Sequence, residues 1–225
     1  GYGCKAGKTL IGGTAFTVPF AKGIPLSTIA PGAILMLNES GSPVPFYIAK
    51  HDYESGLNGA GRTLVVRKDC YDKRALGYYN AFSGSRIDTW LNGTWFKLLD
   101  IGIQETAGTT KFYCFASGTD YTKQTLSRTA FILSCTELGV LNFGDGTALD
   151  SAVCSKLAIA YINGTTTTQW TRTPETNQDR MAYITTFGRF DFVLPDFPQG
   201  SRPAFTLPAT TAVIANADGT YTLAA

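Results

Sequence analysis

Thr129-Ala130-Phe131-Ile132-Leu133-Ser134-Cys135-Thr136-Glu137 is the stretch from which the chain is best read. Its first six residues are mostly apolar and bounded by turn signals, which predicts a strand over residues 129–134. Ser134 is followed three residues later by Glu137, the spacing of a capping box, so a helical turn is predicted to start there. Upstream, residues 85–99 give the best helix. Ser85 and Asp88 stand at capping-box spacing, and Ile87, Trp90, Leu91, Thr94, Trp95 and Leu98 fall on one helical face. Asn92-Gly93 interrupts that pattern, so two short helices are also compatible with it. At this spacing Trp90 and Trp95 read as core rather than as a sugar-stacking platform.

The remaining segments read mostly as strands. Residues 33–37 and 44–50 flank the turn Asn38-Glu39-Ser40-Gly41-Ser42-Pro43 and predict a hairpin. Strands are predicted at 63–67, 111–116 and 204–207, and a strand, a turn at Gly188 and a second strand over 183–194. Val213-Ile214 and Tyr221-Thr222 flank a final turn at Asp218-Gly219. Residues 142–151 read as loop, and 155–162 as a short helix or a strand. Many short strands, one or two helices and long loops make an α+β fold, not alternating βαβ.

Composition agrees with a folded domain. The 225 residues are 44% hydrophobic and 16% charged, below the usual ~25%. Nineteen Lys+Arg against 17 Asp+Glu leave a net charge of +2, which supplies no electrostatic reason to expect nucleic acid or an anionic membrane as partner. No apolar run approaches a membrane span, and no signal-peptide pattern is seen. The five cysteines, Cys4, Cys70, Cys114, Cys135 and Cys154, lack C-x-x-C spacing. They favour reduced, mostly buried thiols over one or two disulfides.

Catalytic and metal chemistry find little footing. His51 is the single histidine, and a hydrogen-bonded structural role is expected for it. Gly7-Lys8-Thr9 echoes a phosphate-binding loop, but the position five residues before Gly7 is Tyr2, so that motif is rejected. Asn142-Phe143-Gly144-Asp145-Gly146 with Asp150 lacks the acids of a calcium loop and reads as an ordinary turn. No catalytic residue, cofactor or metal is expected.

Two clusters put an Arg near a Pro: Gln169-Trp170-Thr171-Arg172-Thr173-Pro174 and Gly200-Ser201-Arg202-Pro203-Ala204-Phe205. A partly buried Arg donating to carbonyls or a carboxylate would pin loops together. Between them, residues 175–199 mix large aromatics with Arg, Asn and Asp, as recognition surfaces do. Asn177, Arg180, Tyr183, Arg189, Phe190 and Phe192 are the candidate ligand-binding residues there.

The order of these motifs resembles that of a family of bacteriophage and gut-bacterial proteins with a C-type-lectin-like fold. The resemblance rests on Ile87-Asp88-Thr89-Trp90-Leu91-Asn92, Phe131-Ile132-Leu133-Ser134 with Glu137, Gln169-Trp170-Thr171-Arg172-Thr173-Pro174, and Gly200-Ser201-Arg202-Pro203-Ala204. The Gly-Lys-Thr-Leu-Ile-Gly-Gly-Thr-Ala stretch from Gly7 also looks like the leader of phage members. Gln169 and Thr171 depart from an apolar pair around Trp170, placing them either in a differently packed core or at a ligand surface. The resemblance makes Trp90, Ser134, Glu137, Trp170, Arg172 and Arg202 fold-motif residues. It implies a non-catalytic virion protein, on a tail or other exposed structure, that displays a lectin-like domain to a bacterial cell-surface receptor. The alternative is a structural virion component. The expected organisation is an arm at 1–30 that attaches to other virion proteins, a lectin-like domain at 31–215 and a tail at 216–225. The expected assembly is a homo-oligomer, a trimer, without membrane insertion.

Overall fold

The computed structural model describes residues 23–224 together with two short strands ahead of them, β1 (Thr9–Ile11) and β2 (Thr14–Phe16), which pair antiparallel. The two strands flank Gly12-Gly13 in the leader-like stretch from Gly7. Next come β3 (Ile24–Pro25), a 3-10 turn at Leu26–Thr28, β4 (Ile34–Glu39), β5 (Ser42–Lys50), α1 (Ser55–Asn58), β6 (Arg62–Arg67) and β7 (Lys73–Arg74). The middle of the chain supplies α2 (Arg86–Gly93), a 3-10 turn at Trp95–Leu98, α3 (Ile101–Ala107), β8 (Thr110–Phe115), β9 (Lys123–Arg128) and α4 (Ser151–Leu157). Nine short strands follow: β10 (Ala160–Ile162), β11 (Thr165–Thr167), β12 (Gln169–Pro174), β13 (Met181–Ile184), β14 (Phe190–Val193), β15 (Gln199–Gly200), β16 (Ala204–Pro208), β17 (Ala212–Ala215) and β18 (Tyr221–Leu223). The protein is thus β-rich with few short helices, an α+β fold.

Two sheets carry the architecture. One has seven strands in the order β16-β6-β5-β4-β18-β17-β3, and the other has five in the order β14-β13-β12-β15-β7. Both are antiparallel except for the pairs β18–β4 and β12–β15. Ser40 and Gly41 (φ 54° and 76°) close β4 onto β5 in a two-residue turn with both φ positive, as hairpin twist requires. Asn163 and Gly164 (φ 51° and 78°) do the same between β10 and β11.

The core fills with aromatics. Phe205 of β16 packs against Phe46, Trp95 and Phe96 at centroid distances of 5.8, 6.2 and 5.8 Å. Phe131 stacks on Phe112 at 4.5 Å and on Tyr53 at 5.7 Å. The helix at 85–99 divides where Asn92-Gly93 was expected to interrupt it, into α2 and the 3-10 turn. Ser85 Oγ caps it by accepting the Asp88 N–H at 3.1 Å. The reciprocal half of the box is displaced: the Asp88 carboxylate accepts from Gly84 N–H at 2.9 Å, and Ser85 N–H donates to Phe82 O at 3.0 Å.

Three expectations need correction. Residues 129–134 are extended and mostly buried, but they form no strand ladder; Phe131 makes one two-way bridge to Ala204, at 2.9 and 2.8 Å. Side chains take several of the other backbone groups, while Leu133 O accepts from the Arg172 N–H and Ser134 O from the Leu138 N–H. Asn92 Oδ1 accepts from Thr129 and Ala130, Asn92 Nδ2 donates to Ala130 O, and the Arg172 guanidinium donates to Ile132 O. Residues 216–225 are not a tail, because β18 lies inside the seven-stranded sheet, between β4 and β17. Nor does the arm extend to residue 30. Ile24 and Pro25 pair with β17, while Leu26 and Ile29 are buried in the core.

Candidate functional site

The Arg-Pro clusters form the internal scaffold. All six residues of β12 are buried, including the fully enclosed Arg172. All five guanidinium N–H groups of Arg172 are used. Nε donates to Tyr113 O (2.8 Å), Nη1 to Ile132 O (2.9 Å) and Glu137 Oε2 (2.6 Å), and Nη2 to Glu137 Oε1 (2.8 Å) and Asp145 O (2.8 Å). Glu137 accepts two further bonds, from Tyr53 Oη (2.5 Å) and Ser134 N–H (2.9 Å). Its own N–H donates to Ser134 Oγ at 3.1 Å, which completes the reciprocal capping box. The box caps a single turn, ended at Gly139 with φ 69°. Burial alone would lower the pKa of Arg172, but the charge of Glu137 and the bonds to it hold it above its ordinary value.

Asp145 belongs to the same network. Its carboxylate accepts from Thr136 Oγ1 (2.7 Å) and Thr173 Oγ1 (2.6 Å), which fastens the 142–150 loop to β12. Among the described residues no group of three or more His, Cys, Asp or Glu could hold a metal ion. Gln169 and Thr171 prove to be core positions: Gln169 Nε2 donates to Leu157 O and Thr171 Oγ1 to Ala182 O, each at 2.8 Å. Arg202 joins three segments through Leu157 O (2.6 Å), Lys68 O (2.6 Å) and Ile159 O (3.2 Å). Burial lowers its pKa. Trp170 Nε1 donates to Arg74 O at 2.8 Å, and the Arg74 guanidinium lies 3.4 Å over the half-buried Trp90 ring. His51 is held at both ring nitrogens, by Thr63 Oγ1 (2.9 Å) and Ile29 O (2.8 Å).

Cys70, Cys114, Cys135 and Cys154 are free thiols; Cys4 lies outside the described residues. Burial pushes Cys70 up to about 11 and Cys135 up to about 12. The folded state then holds these protons more tightly than the unfolded chain, whose thiols titrate near 9.0. Their stabilisation is complete below about pH 9 and is lost as pH rises through about 11 and 12, at about 1.4 kcal/mol per pH unit for each thiol. Urea denaturation between pH 8 and about pH 11 should therefore show falling stability, with a shallower slope in Cys70→Ala. A flat profile would contradict the burial of these thiols.

The residues expected at a recognition surface do not converge. In the β13–β14 hairpin, Tyr183 lies opposite Asp191, and its hydroxyl donates to that carboxylate at 3.4 Å. Phe190 and Phe192 occupy the other face, at 5.7 Å from each other. Arg189 sits at the hairpin turn, and Asn177 and Arg180 on the preceding loop, where Arg180 pairs with Glu175.

A more coherent surface lies nearby. Tyr78, Tyr79, Asn80, Asp179, Leu194, Pro195 and Asp196 line a cleft of about 400 Å³. Tyr78 is 74% and Tyr79 81% exposed, with Leu194 and Phe197 exposed beside them. The tyrosine loop is held at its base by the buried Leu76 and Phe82, by Gly77 N–H donating to Pro195 O at 3.1 Å, and by Asn80 Nδ2 donating to Gln178 O. Arg86 stands 4.0 Å over the Tyr78 ring. Asp179 and Asp196 make no ion pair among the described residues. Sequence reasoning missed this cleft. Its one local signal is Gly77-Tyr78-Tyr79-Asn80, paired aromatics on a turn. Chemically, the cleft offers aromatic faces beside carboxylate acceptors and an amide, the equipment of a binding surface.

Fold and surface together define a β-rich α+β domain braced by buried arginine networks and carrying an exposed aromatic cleft. A family model described as Domain of unknown function (DUF6273) matches residues 60–209, which include Arg172, Glu137, Asp145, Arg202 and every residue of the cleft; of the arginine networks only Tyr53 lies ahead of it. The chain belongs to this family. No curated protein and no solved structure matches it.

Proposed function

We propose that the chain is a non-catalytic recognition domain, C-type-lectin-like in fold, displayed on a phage virion to bind a bacterial cell-surface receptor. The observation that carries this reading is the solvent exposure of Tyr78 and Tyr79 on a loop anchored by buried neighbours. Large exposed aromatics at a cleft mark contact surfaces, and Tyr is enriched among residues that dominate binding energy. The four motifs that resemble phage C-type-lectin-like proteins support the placement on a virion. In this reading the residues ahead of β3 attach to other virion proteins, and a trimer gains avidity from weak individual sites. Nucleic acid has no part in it. Among the described residues, no helix is long and apolar enough to cross a membrane.

The test is binding of purified protein to intact cells of candidate gut bacteria, with Tyr78→Ser/Tyr79→Ser as the variant. Both side chains are mostly exposed, so the variant should fold. A loss of strain-selective binding by at least about tenfold is expected, the size of a single interface hot spot. Undiminished binding by a folded variant overturns the cleft assignment. The second reading, a structural virion component, is favoured by the β1–β2 hairpin that precedes the domain. Tight association with purified virion proteins through the residues ahead of β3, with no cell binding, would establish it instead.

A further inference from the structure

A second concavity lies apart from the tyrosine cleft, between the β10–β11 hairpin and the segment that leads into β7. Tyr71, Asp72, Lys73, Ile162, Asn163 and the threonines 165–167 line about 400 Å³ of open space. Its lining is mixed: three hydroxyls, an amide, an ammonium and a phenol are set among apolar carbon that makes up most of the exposed wall. The Asp72 carboxylate is already held by Arg74, whose Nε donates to Oδ1 at 2.9 Å, so Lys73 keeps its charge free for a ligand.

One feature marks the pocket as more than a polar surface dip. Thr167 is only 3% exposed, yet its hydroxyl has no hydrogen-bond partner. A buried hydroxyl left unpaired is costly, and most buried side-chain polar atoms in folded proteins are satisfied. The backbone on both sides is firmly placed. Thr167 pairs with Ala160 in the hairpin, Cys70 N–H donates to Tyr161 O at 2.9 Å, and Ser201 N–H donates to Asp72 O at 2.8 Å. The hydroxyl is therefore held in position beside a cavity rimmed by donors and acceptors.

We propose that this pocket binds one ring of a saccharide, with Thr167 Oγ1 completing its hydrogen bonding on a sugar hydroxyl and Asn163, Thr165 and Lys73 contacting others. A compact ligand that carries hydroxyls on a C–H ring matches this mixed lining; a wholly apolar ligand would leave the polar groups unpaired. The assignment stands independently of the tyrosine cleft.

The experiment is a calorimetric titration of the purified protein with galactose, N-acetylglucosamine, rhamnose and glucuronic acid. It is repeated on Thr167→Val, which keeps the side-chain shape and removes the hydroxyl. At least one sugar should bind the wild type, and Thr167→Val should weaken it by about 3- to 10-fold, the worth of one neutral hydrogen bond. Without sugar, Thr167→Val should melt no lower than wild type, because the hydroxyl it deletes has no protein partner. Tyr78→Ser/Tyr79→Ser should bind the same sugar with wild-type affinity, which separates this pocket from the cleft. Failure of all four sugars to bind overturns the proposal, and so does wild-type sugar affinity in Thr167→Val.

Discussion

Arg172→Met should cost the protein about 3–5 kcal/mol, the usual penalty for removing one partner of a buried ion pair. For a domain whose total stability is of order 5–15 kcal/mol, that loss leaves the fold marginal or undone. The reason lies in what the substitution strands. Glu137, fully enclosed, would be left with only Tyr53 and the Ser134 N–H as partners. Three backbone carbonyls, of Tyr113, Ile132 and Asp145, would also lose their donor. Pairing the change with Glu137→Leu removes the stranded charge, so the double variant should recover part of the loss. Urea midpoints for the two single variants and the double variant complete the cycle. A loss below about 1 kcal/mol for Arg172→Met would mean that the enclosed pair does not form in solution.

Gly118→Ala should disturb the tyrosine cleft by a different route. A methyl group on Gly118 would run into Asn80 Nδ2 and into the carbonyls of Glu175 and Gln178. Two of those three obstacles are backbone, so the segments must part. Gly118 is where the 77–80 loop and the 175–180 loop meet, and Asn177 N–H donates to Gly118 O at 2.7 Å. Overpacking of this kind typically costs about 1–3 kcal/mol, about 5- to 150-fold in the population of the closed arrangement. Amide exchange should quicken in both loops while the sheet cores keep their protection, and cell binding should fall with it. Gly102→Ala is the matched control: nothing lies within 4 Å of the added methyl in α3. It should leave both readouts unchanged and slightly raise stability through helix propensity. Equal behaviour of the two variants would refute the close approach at Gly118.

Local chemistry was readable from the chain, and long-range assembly was not. The Ser40-Gly41 and Asn163-Gly164 turns, the Ser85 cap and the Ser134–Glu137 box all depend on residues within a few positions of one another. So do the Arg-Pro clusters, whose burial could be argued from composition alone. The 129–134 stretch shows the limit. Its apolar run fits a strand, but whether a ladder or side chains satisfy its backbone is decided by Asn92 and Arg172, each about 40 residues away. The surface failed for the same reason. Asn177, Tyr183 and Phe190 are close in sequence, yet the alternation of β13 and β14 and the intervening turns send them to separate places. The cleft instead joins Tyr78 and Tyr79 to Asp179 and Asp196, from two segments far apart along the chain.

The position of β18 bears on how the molecule comes into being. It lies between β4, near the front of the domain, and β17, which in turn holds β3. The β4–β5–β6 hairpins can form early in synthesis, but β4 keeps one open edge until residues 221–223 emerge. During that interval the nascent chain presents a template that any extended segment could occupy, its own or a neighbour's. The last strand of this sheet in chain order acts as a keystone: it joins β4 to β17 and β3, and completion of the sheet waits until residues 221–223 have emerged.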